Sequence, residues 1–249
     1  MTTKVNALVT GANKGIGHET ARRLAVMGFK VWLGARDAER GEAAAKTLRN
    51  EGFGVEWLQL DVASDDSVTA AARTLTTRIS SLDALVNNAG IAPGYVDALG
   101  PDGGYERPPS RESVADMKAT YDVNVFGPVR VTQAFLPLLL ASPAARIVMV
   151  SSYLGSIARA ADNSQSPNVM GYGSSKTALN AVTVAFAREL STRGIMVNAA
   201  APGYAATDLN AHKGGRTVQQ AAGIIVQLAT LKAGGPTGGY FDENGPLPW

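Results

Sequence analysis

The stretch that decides the fold is T-G-A-N-K-G-I-G at Thr10–Gly17, which directly follows the apolar run Val5–Val9. An apolar strand, a glycine-rich turn and a helix form a unit that binds the pyrophosphate of a dinucleotide, because glycine lets phosphates approach the amides at the positive end of the helix. Gly11, Gly15 and Gly17 are spaced G-x-x-x-G-x-G, which differs from the commoner G-x-G-x-x-G. Many glycine-rich turns are only tight connections, so the rest of the chain must support this interpretation.

Downstream of this turn, short apolar strands alternate with helical stretches. Further strands are predicted at Lys30–Leu33, Val55–Leu60, Ala84–Val86, Ile147–Val150, Met196–Ala199 and Tyr240–Phe241. Helices are predicted at Gly15–Met27, Ala38–Arg49, Ser113–Leu140 and Thr217–Leu231. Two more helices are predicted from their apolar stripes. The first begins at Ser64 and carries Val68, Ala72, Leu75 and Ile79; the second carries Leu179, Val182, Phe186 and Leu190. Nearly continuous apolar strands joined by helices indicate a parallel sheet that is buried on both faces. The prediction is an α/β fold with a doubly wound, Rossmann-type parallel sheet of about seven strands and helices on both faces.

Length and composition are compatible with one domain covering residues 1–249. Hydrophobic residues make up 45% of the 249 residues and charged residues 18%, which is ordinary for a folded domain. The net charge is +2 and the basic residues are scattered, so no nucleic-acid partner is predicted. The lack of Cys excludes disulfides, thiol chemistry and a Cys-ligated metal. His18 and His212 are far apart and are expected at the surface, so no metal is predicted.

The sequence predicts neither a membrane span nor an export signal. No apolar stretch approaches the ~18 residues needed to cross a bilayer. The chain enters its first strand a few residues after Met1, which leaves no room for a signal peptide. We therefore expect a cytoplasmic protein without a membrane partner.

The residues after the second and third strands indicate which dinucleotide is bound. An acidic residue at the end of the second strand would hold a ribose 2′-hydroxyl. In this sequence Ala35 stands at that position, and Arg36 follows it. Arg36 and Lys14 together suit a 2′-phosphate, which favours NADPH over NADH. The alternative is that both are ordinary surface cations. Asp61, followed by Val62, is placed to accept a hydrogen bond from adenine, although alone it is equally typical of a helix start.

A second group of polar residues lies in the carboxyl-terminal half. Ser151 and Ser152 follow the fifth strand, and Tyr172 is followed four residues later by Lys176. Residues i and i+4 are neighbours on one helix face, and the alternative for this pair is simple surface exposure. A serine, a tyrosine and a lysine behind a phosphate cradle are typical of a site that moves a hydride to or from a carbonyl.

The order and spacing of these motifs resemble the short-chain dehydrogenase/reductase family. The landmarks span nearly the whole chain: T-G-A-N-K-G-I-G, Asn87-Asn88-Ala89-Gly90, Asn124, Ser152, Tyr172 with Lys176, and Pro202-Gly203 with Thr207. Within the family, the N-K-G-I-G turn, Ala35-Arg36 and the Pro-Leu-Pro-Trp ending are most similar to NADPH-dependent carbonyl reductases.

The resemblance implies a cofactor site for NADPH/NADP⁺. Asn88, Ala89 and Gly90 would line its central region, and Pro202-Gly203 with Thr207 would fix the nicotinamide amide. The complete predicted cofactor-binding set is Gly11, Asn13, Lys14, Gly15, Ile16, Gly17, Arg36, Asp61, Val62, Asn88, Ala89, Gly90, Tyr172, Lys176, Pro202, Gly203 and Thr207.

The resemblance also implies a catalytic role for Tyr172. A ketone that accepts a hydride develops negative charge on its oxygen and needs a proton there. Tyr172 would be the general acid in reduction and the base in oxidation. The pKa of a free Tyr is near 10, so we expect the positive charge of Lys176 to lower the pKa of Tyr172. Lys176 would also hold the nicotinamide ribose.

Two further residues complete the predicted catalytic set. Ser152 would hydrogen-bond the carbonyl oxygen and stabilise its developing charge. Ser151 is the competing candidate, and the S-x-x-G pattern through Gly155 aligns Ser152 with the family's serine. Asn124 resembles the family residue that holds a proton-relay water near the lysine, and a mid-helix Asn is otherwise unfavourable.

One departure from the family pattern lies between Ser152 and Tyr172, whose spacing of 20 positions is longer than usual for the family. The extra residues fall in Arg159–Met170, which indicates an insertion at the edge of the site. The longest predicted loops are Gly94–Ser110 and Ile157–Met170. Because insertions here obstruct assembly in some carbonyl reductases, the choice between monomer and homo-oligomer stays open.

The predicted function is NADPH-dependent reduction of a ketone or aldehyde to an alcohol. The alternatives are NADP-linked alcohol oxidation in vivo, another reaction such as dehydration or epimerisation, and a dinucleotide-binding regulator without turnover. We expect a bulky, mainly apolar carbonyl substrate because the candidate walls Tyr95, Tyr153, Met170 and Tyr204 carry no fixed charge. The short segment Leu209–Arg216 should leave one side of the site open.

Overall fold

The structure is a computed structural model that describes residues 5–100, 105–162 and 167–249. Its strands are β1 Asn6–Thr10, β2 Lys30–Ala35, β3 Val55–Gln59, β4 Ala84–Asn87, β5 Arg146–Val150, β6 Met196–Ala200, β7 Tyr240–Asp242 and β8 Gly245–Pro246. They form one sheet in the order β3-β2-β1-β4-β5-β6-β7-β8. Neighbouring strands from β1 to β7 run parallel, and β8 pairs antiparallel with β7. The predicted doubly wound α/β fold is therefore confirmed.

Helices cover both faces of this sheet. They are α1 Gly15–Val26, α2 Ala38–Asn50, α3 Asp65–Thr76, α4 Val114–Tyr121, α5 Gly127–Leu140, α6 Ile157–Ala161, α7 Met170–Leu190 and α8 Val218–Ala229. Side-chain caps fix several of their starts: Asp37 accepts a hydrogen bond from the amide of Arg40 at 2.9 Å, and Ser64 accepts one from the amide of Ser67 at 3.2 Å. Caps of this kind stabilise a helix by about 1 kcal/mol each.

Two apolar layers hold the helices on the sheet. On one face, α1, α2 and α8 bury side chains such as Leu24, Leu48 and Ile225 against β1 and β2. On the other face, α3, α5 and α7 pack side chains such as Phe135 and Leu179 against the opposite side of the same strands. Each fully buried side chain of this size contributes about 1.5–3 kcal/mol, so the layers fix the position of the strand ends.

The strand count and several strand ends differ between the sequence-based prediction and the structure. The expected count was about seven, whereas the described residues contain eight, because the two-residue β8 was missed. The segment Gly245–Pro246 has no hydrophobic periodicity, and it is extended because Phe241 and Asp242 offer it a pairing edge. β2 also continues past the predicted end at Leu33 to Ala35.

The long helical region predicted at Ser113–Leu140 is not one regular helix. A π-helical turn at Asp122–Phe126 separates α4 from α5. Such a turn shifts the helical register by inserting one extra residue, and it occurs most often at functional sites. It brings Asn124 and Val125 to the buried side.

The predicted insertion Arg159–Met170 is described except for residues 163–166. Its first part belongs to α6, which begins at Ile157 and ends at Ala161. Ser156 caps this helix by accepting a hydrogen bond from the amide of Arg159 at 3.2 Å. The prediction of a loop across Ile157–Met170 is therefore wrong at its beginning.

The expectation that no stretch is long and apolar enough to cross a bilayer needs a correction. In the part of the chain that the structure describes, Val114–Leu140 meets both criteria, with 27 residues and a mean hydropathy of 1.3 in its best window. Half of that window is buried inside the protein. Core helices of globular proteins pass the same test, so this helix is weak evidence for a membrane span.

Candidate active site

The predicted site residues follow the carboxyl ends of adjacent parallel strands. Thr10 ends β1, Asn87 ends β4, Val150 ends β5 and Ala200 ends β6. In a doubly wound sheet, ligands bind in the crevice at this edge. The glycine-rich turn, the Asn88 segment, Ser152 and the Pro202 segment are thereby brought to one edge, although they are far apart in sequence.

The glycines after β1 form a cradle that side chains would fill. Gly11 has φ +61, and a Cβ there would lie 2.8 Å from Cα of Ala89. A Cβ on Gly17 would lie 2.3 Å from Nδ2 of Asn88. Gly15 has φ +59, a conformation that L side chains rarely adopt. Lys14 precedes α1 without a side-chain cap, so the first amides of the helix remain available to phosphate oxygens, as a dinucleotide requires.

Asn88 supports the cradle from behind. Its Nδ2 donates to the carbonyl oxygens of Thr10 at 2.9 Å and Gly11 at 3.1 Å. Oγ1 of Thr10 accepts hydrogen bonds from the amides of Asn88 and Ala89, both at 3.0 Å. These bonds tie the turn after β1 to the turn after β4. Thr10 is not among the predicted site residues, although its place directly before Gly11 is a usable signal.

The residues expected at the adenosine end lie after β2 and β3. Arg36 is exposed directly after β2, and Asp37 uses its carboxylate to cap α2. Asp61 accepts a hydrogen bond from the amide of Ala63 at 3.1 Å. Since Ser64 is the cap of α3, Asp61 is not the helix-start residue, which removes that alternative for it.

Lys14 has an ionic partner that the sequence did not predict. Its Nζ forms an ion pair with Asp208 in the segment after β6. The other carboxylate oxygen of Asp208 lies 2.8 Å from Nε2 of His212, which is two-thirds exposed. Lys14 and His212 together hold the pKa of the Asp208 carboxyl below its usual value. The hydrogen bond from Lys14 makes the largest contribution to this lowering. His212 is therefore at the surface as expected, but it contacts this acidic residue.

The structure places Ser152 and Tyr172 together. Ser152 follows β5, Tyr172 lies in the first turn of α7, and the Ser152 side chain is close enough to the phenol to lower its pKa. Ser151 is buried and its hydroxyl donates to Oδ1 of Asn180 at 2.6 Å. Of the two serines, the geometry therefore favours Ser152. Gly155 lets this segment pack on α7, because a Cβ there would lie 2.9 Å from the backbone of Lys176.

The ionisation of Tyr172 and Lys176 is dominated by burial. Burial raises the pKa of Tyr172 to about 12, and the hydrogen bond with Ser152 acts in the opposite direction. Burial also lowers the pKa of Lys176 to about 8. Nζ of Lys176 donates to the carbonyl oxygen of Val150 at 2.8 Å and lies 5.5 Å from the Tyr172 ring centroid. The expected lowering of the Tyr172 pKa by Lys176 is not found: burial dominates, and the opposing contribution comes from Ser152.

Asn124 is held by the protein on all sides. Its Oδ1 accepts from the amide of Ile91 at 2.9 Å, and its Nδ2 donates to the Ile91 carbonyl at 2.9 Å and to Oγ of Ser175 at 3.1 Å. Both amide hydrogens are therefore used within the protein. The Asn124 side chain anchors the segment after β4. A relay water could bind to this side chain only through the second lone pair of Oδ1.

The segment after β6 closes one side of the cradle. Gly203 has φ +78, and a Cβ there would lie 2.6 Å from Cδ of Arg216. Cγ2 of Thr207 comes within 3.8 Å of the position that a Cβ on Gly15 would take. Thr207 thus lies beside the glycine turn, and Gly203 packs closely against Arg216.

Aromatic side chains cluster around Tyr172. Tyr95 is buried, stacks on Tyr105 with ring centroids 5.4 Å apart, and is close to Tyr204. Desolvation, followed by the Tyr204 hydrogen bond, raises the pKa of Tyr95, and the nearby Tyr172 adds to this. Tyr153 directs its hydroxyl to Asp242 at 2.6 Å. Of the four predicted walls, Tyr95 is near the Tyr172 phenol, and Tyr204 is next to Tyr95.

Comparison with known proteins agrees with this architecture. The family model described as short chain dehydrogenase matches residues 5–216. The chain is 33% identical to (−)-isopiperitenone reductase of Mentha piperita over 97% of each chain, and 32% identical to (+)-neomenthol dehydrogenase of Capsicum annuum over 94% of each. Its fold is similar to that of NADPH-bound carbonyl reductase from chicken fatty liver, with a TM-score of 0.84, 27% identity and coverage of 99% of this chain and 100% of the other.

A glycine cradle and a Ser-Tyr-Lys group on a doubly wound sheet define an oxidoreductase of the dinucleotide-dependent class. The match over residues 5–216 is more specific. The chain belongs to the short-chain dehydrogenase/reductase family, and its predicted membership is confirmed.

Proposed function

We propose that this protein reduces a ketone or aldehyde to an alcohol with NADPH and that it can catalyse the reverse oxidation. The observation that carries the proposal is the proximity of the Ser152 side chain to the Tyr172 phenol, with Lys176 one helical turn further along α7. A phenol beside a second hydroxyl can protonate and stabilise a single oxygen atom. The glycine cradle lies at the same edge of the sheet.

The cofactor is NADP(H), in agreement with the carbonyl reductase of similar fold that is bound to NADPH. The cradle of Gly11, Gly15 and Gly17 fits the pyrophosphate, since side chains at these positions would collide with the protein or strain the backbone. Arg36 is the cation best placed for the 2′-phosphate, because the structure pairs Lys14 with Asp208. Asp61 and Val62 would lie at the adenine, and Asn13 and Ile16 within the turn.

The geometry supports the following catalytic roles as part of the proposal. When bound, NADPH supplies the hydride that adds to the carbonyl carbon. The Tyr172 hydroxyl donates its proton to the carbonyl oxygen, and the Ser152 hydroxyl donates a hydrogen bond to the same oxygen while its negative charge develops. Burial lowers the pKa of Lys176 to about 8, so Lys176 is protonated below that pH. Its positive charge lies near the phenol and stabilises the phenolate that remains.

We propose bulky, mainly apolar carbonyl compounds as substrates. Tyr95 is near Tyr172 and next to Tyr204, and both tyrosines are aromatic side chains without a fixed charge. The segment from Leu209 to Arg216 is short, and much of it is exposed, so one side of the site stays accessible. The two plant relatives of the previous section are named for reactions on isopiperitenone and neomenthol, which supports this substrate class.

A panel of carbonyl compounds tests the proposal. Purified protein with NADPH should reduce cyclic and aryl ketones with a higher kcat/KM than small charged keto acids. A preference for keto acids would contradict the apolar pocket. Turnover of no carbonyl compound, with NADPH still bound, would instead favour a dinucleotide-binding regulator.

The remaining expectations are part of the same proposal. We propose that residues 1–249 form a single domain that contains both the cofactor site and the substrate site, and that the protein acts in the cytoplasm. The choice between NADP-linked alcohol oxidation and carbonyl reduction in vivo depends on cofactor ratios rather than on these residues. Gel filtration with light scattering distinguishes a monomer from a homo-oligomer.

A further inference from the structure

The segment that carries Ser152 is held by the carboxyl-terminal part of the chain. The hydroxyl of Tyr240 in β7 donates a hydrogen bond to the carbonyl oxygen of Ser152, which also accepts one from the amide of Gly155 at 2.8 Å. Tyr240 is 2% exposed, and burial raises the pKa of its hydroxyl. This hydroxyl therefore remains protonated, and a donor, over the whole working range of pH.

Three more contacts fasten the residues that follow Ser152. Tyr153 donates to Oδ2 of Asp242 at 2.6 Å. Oγ of Ser156 donates to the Pro248 carbonyl at 2.8 Å, and the amide of Ala158 donates to the Trp249 carbonyl at 3.0 Å. The ring of Trp249 stacks on that of Tyr240, with centroids 5.4 Å apart. β7 and the residues after it thus brace the turn from Ser152 to α6.

Apart from its interaction with the Tyr172 phenol, the Ser152 side chain has one further contact that orients it. Its Oγ accepts a hydrogen bond from the amide of Leu154 at 3.3 Å, which is long for an N–H···O bond. The direction of this hydroxyl therefore depends mainly on how the Ser152 backbone is fixed. A displacement of about 1 Å at a reacting group can reduce a rate by about a hundredfold.

We propose that Tyr240 is a positioning residue, which holds the Ser152 backbone so that the Ser152 hydroxyl meets the carbonyl oxygen beside Tyr172. This inference rests on the proposed carbonyl reduction and adds a residue to it. Tyr240 touches neither reacting atom, so it acts only through Ser152.

The test is Tyr240→Phe, which removes the hydroxyl and keeps the ring that stacks on Trp249. We expect kcat to fall about tenfold, with little change in the Kd for NADPH. The matched control is Thr237→Val, which removes the hydrogen bond to the amide of Val197 at 3.0 Å, near the amino end of β6. The control should lose stability but keep kcat.

Two readouts separate positioning from general stabilisation. In the Ser152→Ala background, Tyr240→Phe should cause no further loss of kcat, whereas a purely structural role would multiply the two losses. In alcohol oxidation, the activity rises with pH as Tyr172 ionises. Because the Ser152 hydrogen bond lowers the Tyr172 pKa, Tyr240→Phe should move this rise to higher pH.

Each outcome decides the inference. Wild-type kcat in Tyr240→Phe, or a full further loss in the Ser152→Ala background, would overturn it while leaving carbonyl reduction intact. A wild type that reduces no carbonyl compound would overturn both. If Tyr240→Phe does not fold, Trp249→Leu loosens the Tyr240 ring instead, and its smaller loss of kcat should likewise disappear in the Ser152→Ala background. Persistence of that loss would count against the inference.

Discussion

Arg36 and Lys14 were expected to share the 2′-phosphate, and the structure now ranks them. Arg36 is exposed and makes no ion pair within the described residues, whereas Lys14 is paired with Asp208. When NADPH binds, Arg36 gains a new ionic partner, but Lys14 only exchanges one partner for another. We therefore predict that Arg36→Leu reduces the preference for NADPH over NADH much more than Lys14→Leu does.

The magnitude follows from the exposure of these groups. A hydrogen bond to a charged group contributes about 1.5–3 kcal/mol, and an exposed Arg warrants the lower end. About 1.5 kcal/mol corresponds to roughly tenfold in affinity. Lys14 exchanges its exposed Asp208 carboxylate for the phosphate, which contributes about 0–1 kcal/mol. This corresponds to at most about a fivefold change in NADPH affinity. Asp208→Asn releases Lys14 and should strengthen NADPH binding by a similarly small factor.

The assay is kcat/KM with NADPH and with NADH for the wild type and each variant. Arg78→Leu is the matched control, since it removes another surface arginine that is paired with Glu56. It should leave the cofactor preference unchanged. An Arg36→Leu variant that loses NADPH and NADH activity equally, or a larger effect of Lys14→Leu, would refute the reasoning.

Three further predictions follow from distances and pKa values. Gly17→Ala should weaken NADPH binding at least tenfold in titrations, because its Cβ would lie 2.3 Å from Nδ2 of Asn88 and displace the cradle; unchanged affinity would exclude the cradle. Ser152→Ala should reduce kcat by about 10²–10³, whereas Ser151→Ala, which breaks the bond to Asn180, should mainly lower Tm; the reverse pattern would reassign the serine. For reduction, kcat/KM should be constant below a pH of about 8 and fall above it, as Lys176 loses its proton; a flat profile to pH 10 would remove the role of its charge.

Much of the fold was predictable because it depends on local patterns. The apolar runs and the glycine turn after β1 predicted the sheet and its ligand-binding edge, since strands buried on both faces leave a continuous hydrophobic signature. The π-helical turn at Asp122–Phe126 was not predicted, because no composition distinguishes it from the helices on either side. Within this turn, Asn124 is hydrogen-bonded to Ile91 and Ser175, which are distant in sequence and could not be foreseen as its partners.

The site was predictable to the extent that its residues follow strand ends. Ser152, Tyr172 and Lys176 were found by spacing, and the structure brings them together. Contacts between distant segments were not predictable, such as Lys14 with Asp208 or Tyr240 with Ser152. These pairs join residues far apart in the chain, and only the packed sheet decides which of them meet.

The central claim is that Tyr172 protonates the carbonyl oxygen, and single-turnover reduction by Tyr172→Phe tests it most directly. The variant keeps the ring and should bind NADPH as the wild type does. We predict that the rate of NADPH oxidation by a good ketone substrate falls by about 10²–10⁴. General acid catalysis contributes at least about a hundredfold to the rate. A variant that retains more than about a tenth of the wild-type rate would therefore contradict the assignment.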